Sequence, residues 1–243
     1  MKIIVFNGSP RAQKGNTHFM VEAFLKGAQA AGAETENIFL AKQKIKPCTG
    51  CFCCWVKTPG ECVIKDDMAE LRSKYVTADI IVFATPLYVD NVTGIMKNFM
   101  DRLVPLADPY FEKDENGQYR HVKGFDKVQK IAVISNCGFP EQEHFQVLRL
   151  LFRRIARNFH SEVIAEIYRG AGQILQVDHL MLKPLIWKYK KLLEKAGKEV
   201  VQNMRLSEAT REELEKPIIP HDMYMKGANK EWDRQLQELA PKG

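Results

Sequence analysis

Five of the chain's six cysteines fall between Cys48 and Cys62, in the stretch CTGCFCCWVKTPGEC. Thiols at that density can ligate a metal, bridge as disulfides, cycle as a redox pair, or simply pack. The cell compartment bears on the choice. The N-terminus, MKIIVFNGSP, has one lysine and a short apolar stretch, without a signal peptide's apolar core and cleavage site. A cytoplasmic protein is therefore expected. Thiols stay reduced there, and clustered cysteines favour metal or redox chemistry over structural bridges. A structural zinc usually separates two cysteine pairs by a longer stretch, and here there is one run. Cys51 and Cys54 form a C-x-x-C, but no obvious helix begins there to stabilise a thiolate. Asp66-Asp67 reads as a pair of acids in the first turn of a helix.

A second group of polar residues has a different chemistry. NGSPRAQKGNTH runs from an apolar strand into a helix, so backbone N–H groups at the helix start face the loop. Ser9, Asn16 and Thr17 add short polar groups, Arg11 and Lys14 add charge, and Gly8 and Gly15 allow close backbone approach. A phosphate monoester suits such a loop. It is not a Walker A motif, because Asn follows Gly15, and it is not G-x-G-x-x-G. An ordinary capped turn remains the alternative. Thr85-Pro86 forces an extended turn before Leu87-Tyr88. Tyr88 either lies against a flat ring or caps the core. SNCGFP ends a later strand, with Gly138 permitting close approach and Cys137 given no chemistry.

These loops need elements to hold them. Lys2 to Phe6, Glu36 to Leu40, DIIVFATP, KVQKIAVISNCG and EVIAEIYRG read as five short apolar strands. Helical patterns alternate with them over residues 1 to about 170. Strands apolar on both faces, joined by helices, imply a parallel sheet covered on each side. Ligands of such sheets sit outside the carboxyl ends of the strands. Residues 177–243 differ: a Lys-rich helical stretch from Val177 to Met204 with Pro184 near its start, then Thr210-x-x-Glu213 as a capping box. HDMYMKGANKEW has no clear period. Its Met223, Tyr224 and Trp232 are expected to bury against a neighbouring subunit or the chain's own domain. DPYFEKDENGQYRHVKG reads as an insertion that shapes a substrate site or lies on the surface.

The 243 residues are 45% apolar and 27% charged, ordinary for a globular chain with a sizeable core, and no apolar run reaches the length of a membrane span. The net charge is +6, but Lys and Arg are scattered among acids, so neither nucleic acid nor membrane is expected as a partner. A modest positive field suits an anionic cofactor.

Taken together, GSPRAQKGNT and TPLYVDNVTGIMKNFMDR resemble the FMN-phosphate and isoalloxazine loops of the flavodoxin-like NAD(P)H-dependent FMN reductase superfamily. The resemblance spans about residues 1–175. It implies an α/β fold: a flavodoxin-like, doubly wound five-stranded parallel sheet of order 2-1-3-4-5, here with a C-terminal helical extension. The expected division is 1–176 as the FMN-binding domain and 177–243 as helix and tail. It implies FMN held at the phosphate by Ser9, Arg11, Asn16 and Thr17. Pro86, Leu87 and Tyr88 would contact the ring, bordered on its far side by Ser135, Asn136 and Gly138. It further implies NAD(P)H as electron donor, a small-molecule acceptor such as a quinone, nitro compound or flavin, and a homodimer or homotetramer. No catalytic acid or base is assigned.

Within that superfamily, CTGCFCCWVKTPGECVIKDDM is similar to the iron–sulfur flavoproteins. The likeness implies that Cys48, Cys51, Cys54 and Cys62 ligate a [4Fe–4S] cluster, since each iron needs one thiolate. Cys62 follows Cys54 after seven intervening residues, the upper limit of that family's spacing, and Cys53 lies outside the pattern. Packing near the flavin is the alternative. The leading expectation is an FMN-dependent NAD(P)H oxidoreductase. Its rivals are an iron–sulfur flavoprotein or flavodoxin-type electron carrier with no substrate chemistry of its own, the basic charge counting against the flavodoxin type, and a zinc-binding module without flavin.

Overall fold

Ile3, Ile4, Val5 and Phe6 are all fully buried, and their side chains alternate between two apolar clusters. Ile3 and Val5 face one cluster, Ile4 and Phe6 the other, as a strand covered on both faces requires. The computed structural model describes residues 1–239 and places this segment in β1 (Lys2–Asn7). There follow α1 (Asn16–Ala30), β2 (Glu34–Phe39), α2 (Cys53–Val56), α3 (Met68–Thr77), β3 (Ile80–Pro86) and α4 (Gly94–Asp101). Next come β4 (Ala107–Lys113), β5 (Tyr119–Lys123), β6 (Lys130–Asn136), α5 (Gln146–Asn158) and β7 (Val163–Arg169). The chain continues through α6 (Lys183–Asn203), α7 (Glu208–Glu215) and α8 (His221–Leu239).

The main sheet is parallel throughout, in the order β2-β1-β3-β6-β7. With the β4–β5 hairpin set aside, that is the doubly wound, flavodoxin-like order 2-1-3-4-5 expected from the sequence. Register brings the carboxyl ends into line: Asn7 lies beside Ala84, and Pro86 beside Asn136. The three loops that leave β1, β3 and β6 therefore open onto one edge. One face of the sheet is covered by α1 and α6, the other by α3, α4 and α5.

Helix α6 belongs to the core. Its Tyr189, Leu193, Ala196 and Val200 join Met20, Phe24 and the sheet in a single cluster. Two glycines make the contact possible. A Cβ at Gly27 would lie 1.8 Å from the Glu194 carbonyl oxygen, and one at Gly197 1.9 Å from that of Phe24. The two helix backbones thus touch directly.

Three elements differ from the sequence reading. Residues 107–123 form an antiparallel hairpin, not an irregular insertion. Its turn is held by Asp114, whose Oδ1 accepts from the N–H groups of Asn116 and Gln118, with Gly117 at φ +73°. The cap of α7 is Ser207, whose Oγ accepts from the Thr210 N–H. Thr210 lies inside the helix and its hydroxyl donates to Glu199, so Thr210-x-x-Glu213 is not a capping box. Residues 221–239 form one long helix despite their weak periodicity. Tyr224 is buried against the chain's own domain, whereas Met223 and Trp232 are more than half exposed.

Candidate functional site

The loop after β1 rises tightly from the sheet. Asn7 Oδ1 accepts from the Ser9 N–H at 3.0 Å, and the Gly8 N–H donates to the Ala84 carbonyl at 2.8 Å. A single 3-10 turn (Ala12–Lys14) then delivers the chain to Gly15, which caps α1 without any side-chain partner. The first N–H groups of α1 are left free of intrahelical acceptors, as at any helix start, and here they face the loop. Gly15 lets the Ser9 side chain sit close: a Cβ there would lie 2.5 Å from Ser9 Oγ, so the hydroxyl would have to turn away. Ser9 and Thr17 are buried, whereas Arg11 is exposed.

The loop after β3 is tied to the first. Thr93 caps α4 by accepting from the Met96 N–H, and its hydroxyl donates to the Gly8 carbonyl at 2.7 Å. Tyr88 and Asn91 exchange backbone hydrogen bonds around a two-residue turn in which Val89 and Asp90 both have positive φ. Such a turn favours Asn or Gly, so a β-branched Val at φ 48° is strained. The turn leaves the Tyr88 ring half exposed at the rim. From β6, the Asn136 amide donates to Thr17 Oγ1 at 2.8 Å, joining the third loop to α1.

These three loops enclose a cleft of about 150 Å³. Ser9, Arg11, Asn16 and Thr17 line one side, Pro86, Leu87 and Tyr88 another, and Asn136 and Gly138 a third. Ser135, the remaining expected residue, does not line it. Its side chain is fully buried below and its Oγ lacks a partner. Gly15, Cys137 and Gln173 also line the cleft, although the sequence singled out none of them as ligands. Burial pushes the Cys137 thiol up to about 11, which keeps it protonated. Gln173 comes from beyond β7, where no motif marks it. FMN fits this donor set: an uncapped helix start and an exposed cation for the phosphate, an apolar edge with a tyrosine for the ring, and an unpartnered Asn16 Oδ1.

The cysteine loop forms a second site on the α4 side of the sheet. Cys48, Cys51, Cys54 and Cys62 all line one cavity of about 240 Å³, whose remaining wall includes Phe52, Val63, Ile64 and Val104. Cys53 does not line it. Among the described residues no three His, Cys, Asp or Glu side chains are drawn close enough to hold a single metal ion. Cys48 and Cys51 are exposed, Cys62 is half-buried and Cys54 is buried, and four thiols on one cavity match in number the ligands a four-iron cluster takes. Burial pushes the Cys54 thiol up, and the neighbouring Cys62, Cys51 and Cys48 add to the shift. Contrary to the sequence reading, a one-turn helix does begin here, at Cys53. A hydrogen bond accepted from the Cys53 backbone N–H pulls the Cys51 thiol below its usual value.

Asp66 and Asp67 also do more than stand at a helix start. Asp66 accepts from the Lys46 N–H at 2.9 Å, and Asp67 from the Lys44 N–H at 2.7 Å, which closes the neck of the loop. Asp66 is fully buried against Arg102, the residue after α4. Burial pulls its carboxyl upward, but the hydrogen bonds from Arg102, Lys46 and Met68 hold it below the usual carboxylate range. Trp55 anchors the outer part of the loop, with Nε1 donating to the Ala107 carbonyl at 2.8 Å.

Residues 1–122 match the family model described as NADPH-dependent FMN reductase. An iron–sulfur flavoprotein of Archaeoglobus fulgidus is 37% identical over 137 residues, which is 56% of this chain and 61% of that protein. An iron–sulfur flavoprotein of Methanocaldococcus jannaschii is 42% identical over 106 residues, 44% of this chain and 53% of that protein. The chain thus matches less than two thirds of the length of either relative. Among solved structures, an FMN-dependent NADH-azoreductase of Bacillus anthracis in complex with FMN superposes with a TM-score of 0.61 at 15% identity, over 83% of this chain and 99% of that one. At that identity the likeness is one of fold.

Proposed function

The chain belongs to the NADPH-dependent FMN reductase family, and on that premise we propose that it is an FMN-dependent NAD(P)H oxidoreductase whose cysteine loop holds a four-iron cluster. The observation that carries this reading is convergence. Nine of the ten residues assigned to FMN line one cleft, and the four assigned to the cluster line one cavity. Bound FMN would supply hydride acceptance and its release as single electrons, and a bound cluster one-electron storage.

The protein's own part is to bind, orient and exclude water. Arg11 and the start of α1 offset the phosphate charge. Gly8 and Gly15 leave room for the phosphate loop to fold tightly. Tyr88 would lie against the ring, and the Thr93–Gly8 hydrogen bond keeps the two loops in fixed relation. Cys48, Cys51, Cys54 and Cys62 would hold the cluster in an apolar pocket. Electrons would leave to a small-molecule acceptor. Self-association completes the reading. It is supported by α8, a 19-residue helix that buries only Tyr224 while Met223, Trp232, Leu236 and Leu239 stay exposed.

The test is an anaerobic purification followed by visible spectroscopy, iron and sulfide assays, and NADH and NADPH oxidation with an acceptor panel. Flavin bands, about four irons per chain and acceptor-dependent turnover are expected. Flavin without iron would leave a two-electron reductase with a thiol loop. A colourless protein with stoichiometric zinc would overturn the proposal.

A further inference from the structure

Arg102 is the last link between the two sites, and nothing in the flavin chemistry calls for it. It follows α4, whose first residue is preceded by Thr93, hydrogen-bonded to the phosphate loop. The helix has 8 residues and spans about 12 Å. At its far end the Arg102 guanidinium is 1% exposed and lines the cysteine cavity. Both terminal nitrogens are engaged in a fixed fork. Nη1 donates to Asp66 Oδ2 and the Lys46 carbonyl, each at 2.6 Å. Nη2 donates to Asp66 Oδ1 at 3.0 Å and to Cys62 Sγ at 3.4 Å, with a longer contact to the Ile64 carbonyl. Nε is buried with no acceptor among the described residues.

Packing alone does not explain this arrangement. Replacing a buried ion pair with apolar residues of similar volume is often neutral or stabilising, so such a pair is weak evidence of a stabilising role. Here the carboxylate lies against the terminal nitrogens, and a positive N–H points at one sulfur of the four. A donor on a cluster-ligating sulfur stabilises the more negative, reduced state and raises the potential. Lysine could supply the charge but not the fork that reaches Asp66 and Cys62 at once.

We propose that Arg102, held in place by Asp66, is a positioning residue that sets the reduction potential of the cluster through its hydrogen bond to Cys62. The proposal rests on the cluster reading above. The couple concerned takes up one electron, supplied in the test by dithionite, and breaks no bond.

The experiment is a redox titration of anaerobically purified holo-protein, with the cluster followed by electron paramagnetic resonance and the flavin by absorbance. Wild type is compared with Arg102→Lys and with the double variant Arg102→Gln/Asp66→Asn, a neutral pair that avoids stranding one buried charge. FMN content reports folding. The double variant should shift the reduction equilibrium about tenfold toward the oxidised cluster, a potential lower by about 59 mV, with the flavin unchanged. Arg102→Lys should shift it less. A merely structural Arg102 would give variants that lose iron while the remaining cluster titrates as in wild type, and that result overturns the proposal. Wild type without iron would instead bring down the cluster reading itself, and this proposal with it.

Discussion

Replacing Gly197 with Ala sets two effects of opposite sign against each other. Glycine in a helix interior costs about 1 kcal/mol relative to alanine, so propensity favours the change. Space forbids it. The new Cβ would lie 1.9 Å from the Phe24 carbonyl oxygen and 2.9 Å from the Ala28 nitrogen, both main-chain atoms of α1. Neither can rotate away, so α6 must retreat by roughly 1 Å, enough to forfeit up to half of each facing dispersion contact. Overpacking costs about 1–3 kcal/mol, and a main-chain clash belongs at the upper end. After the propensity gain, a net loss of about 2 kcal/mol remains. For a chain of this size that lowers Tm by about 4–8 °C. The loss should also reach the flavin, because the first turn of α1 carries Asn16 and Thr17. FMN should bind several-fold more weakly. Urea and thermal unfolding with FMN titration provide the assay. Gly227→Ala, where a Cβ meets nothing within 4 Å, is the control and should be neutral or stabilising. A Gly197→Ala protein as stable as wild type would refute the claim that α6 and α1 touch through their backbones.

Arg11→Ala should weaken FMN binding about tenfold at low salt, with the gap narrowing at high salt because Arg11 is exposed. Equal affinities at low salt would remove Arg11 from the phosphate site. Cys54→Ser should abolish iron binding while Cys53→Ser keeps about four irons per chain, and equal losses would break the ligand assignment. Glu199 accepts from the Ser207 N–H and hydroxyl and the Thr210 hydroxyl, tying α6 to α7. Burial pulls its pKa up, but those bonds hold it below the usual value. A depressed carboxylate contributes stability above its unfolded pKa and loses it as pH falls through the folded one. The deficit of Glu199→Gln should thus be about 1.5–3 kcal/mol at neutral pH and close below about pH 4. A deficit independent of pH would show that the charge is not what matters.

The five core strands and the three loops that line the cleft were legible because their signals are local. A run such as IIVFATP has one reading as a doubly buried strand, and the polar loop that follows each strand is adjacent in sequence. Once strands are parallel, register alone brings those loops to one edge, so nine of ten cleft residues followed from chain order and the family resemblance. The hairpin at 107–123 was less visible, because its Asn116-Gly117 turn joins strands that bury no residue and do not alternate. Helix α8 was hidden for a related reason: it buries one side chain, and a helix packed so lightly leaves little periodicity to read.

The cysteine loop marks the division most clearly. The amino-acid sequence by itself determined that four thiols at cluster-like spacing stand on one short segment. It could not say that Arg102, 40 positions after Cys62, would donate to that sulfur, or that Asp66 would hold the guanidinium there. Each residue lies inside a motif, Asp66 after the cysteines and Arg102 at the end of the ring loop's helix, but nothing in either motif pairs them, because the contact exists only after α4 packs on the sheet. The same holds for Gly27 and Gly197, 170 positions apart, whose meeting depends on α1 and α6 lying on one face. Spacing along the chain decides local conformation and which groups travel together. Contacts between distant segments are decided by how the layers stack, and only the tertiary structure supplies that.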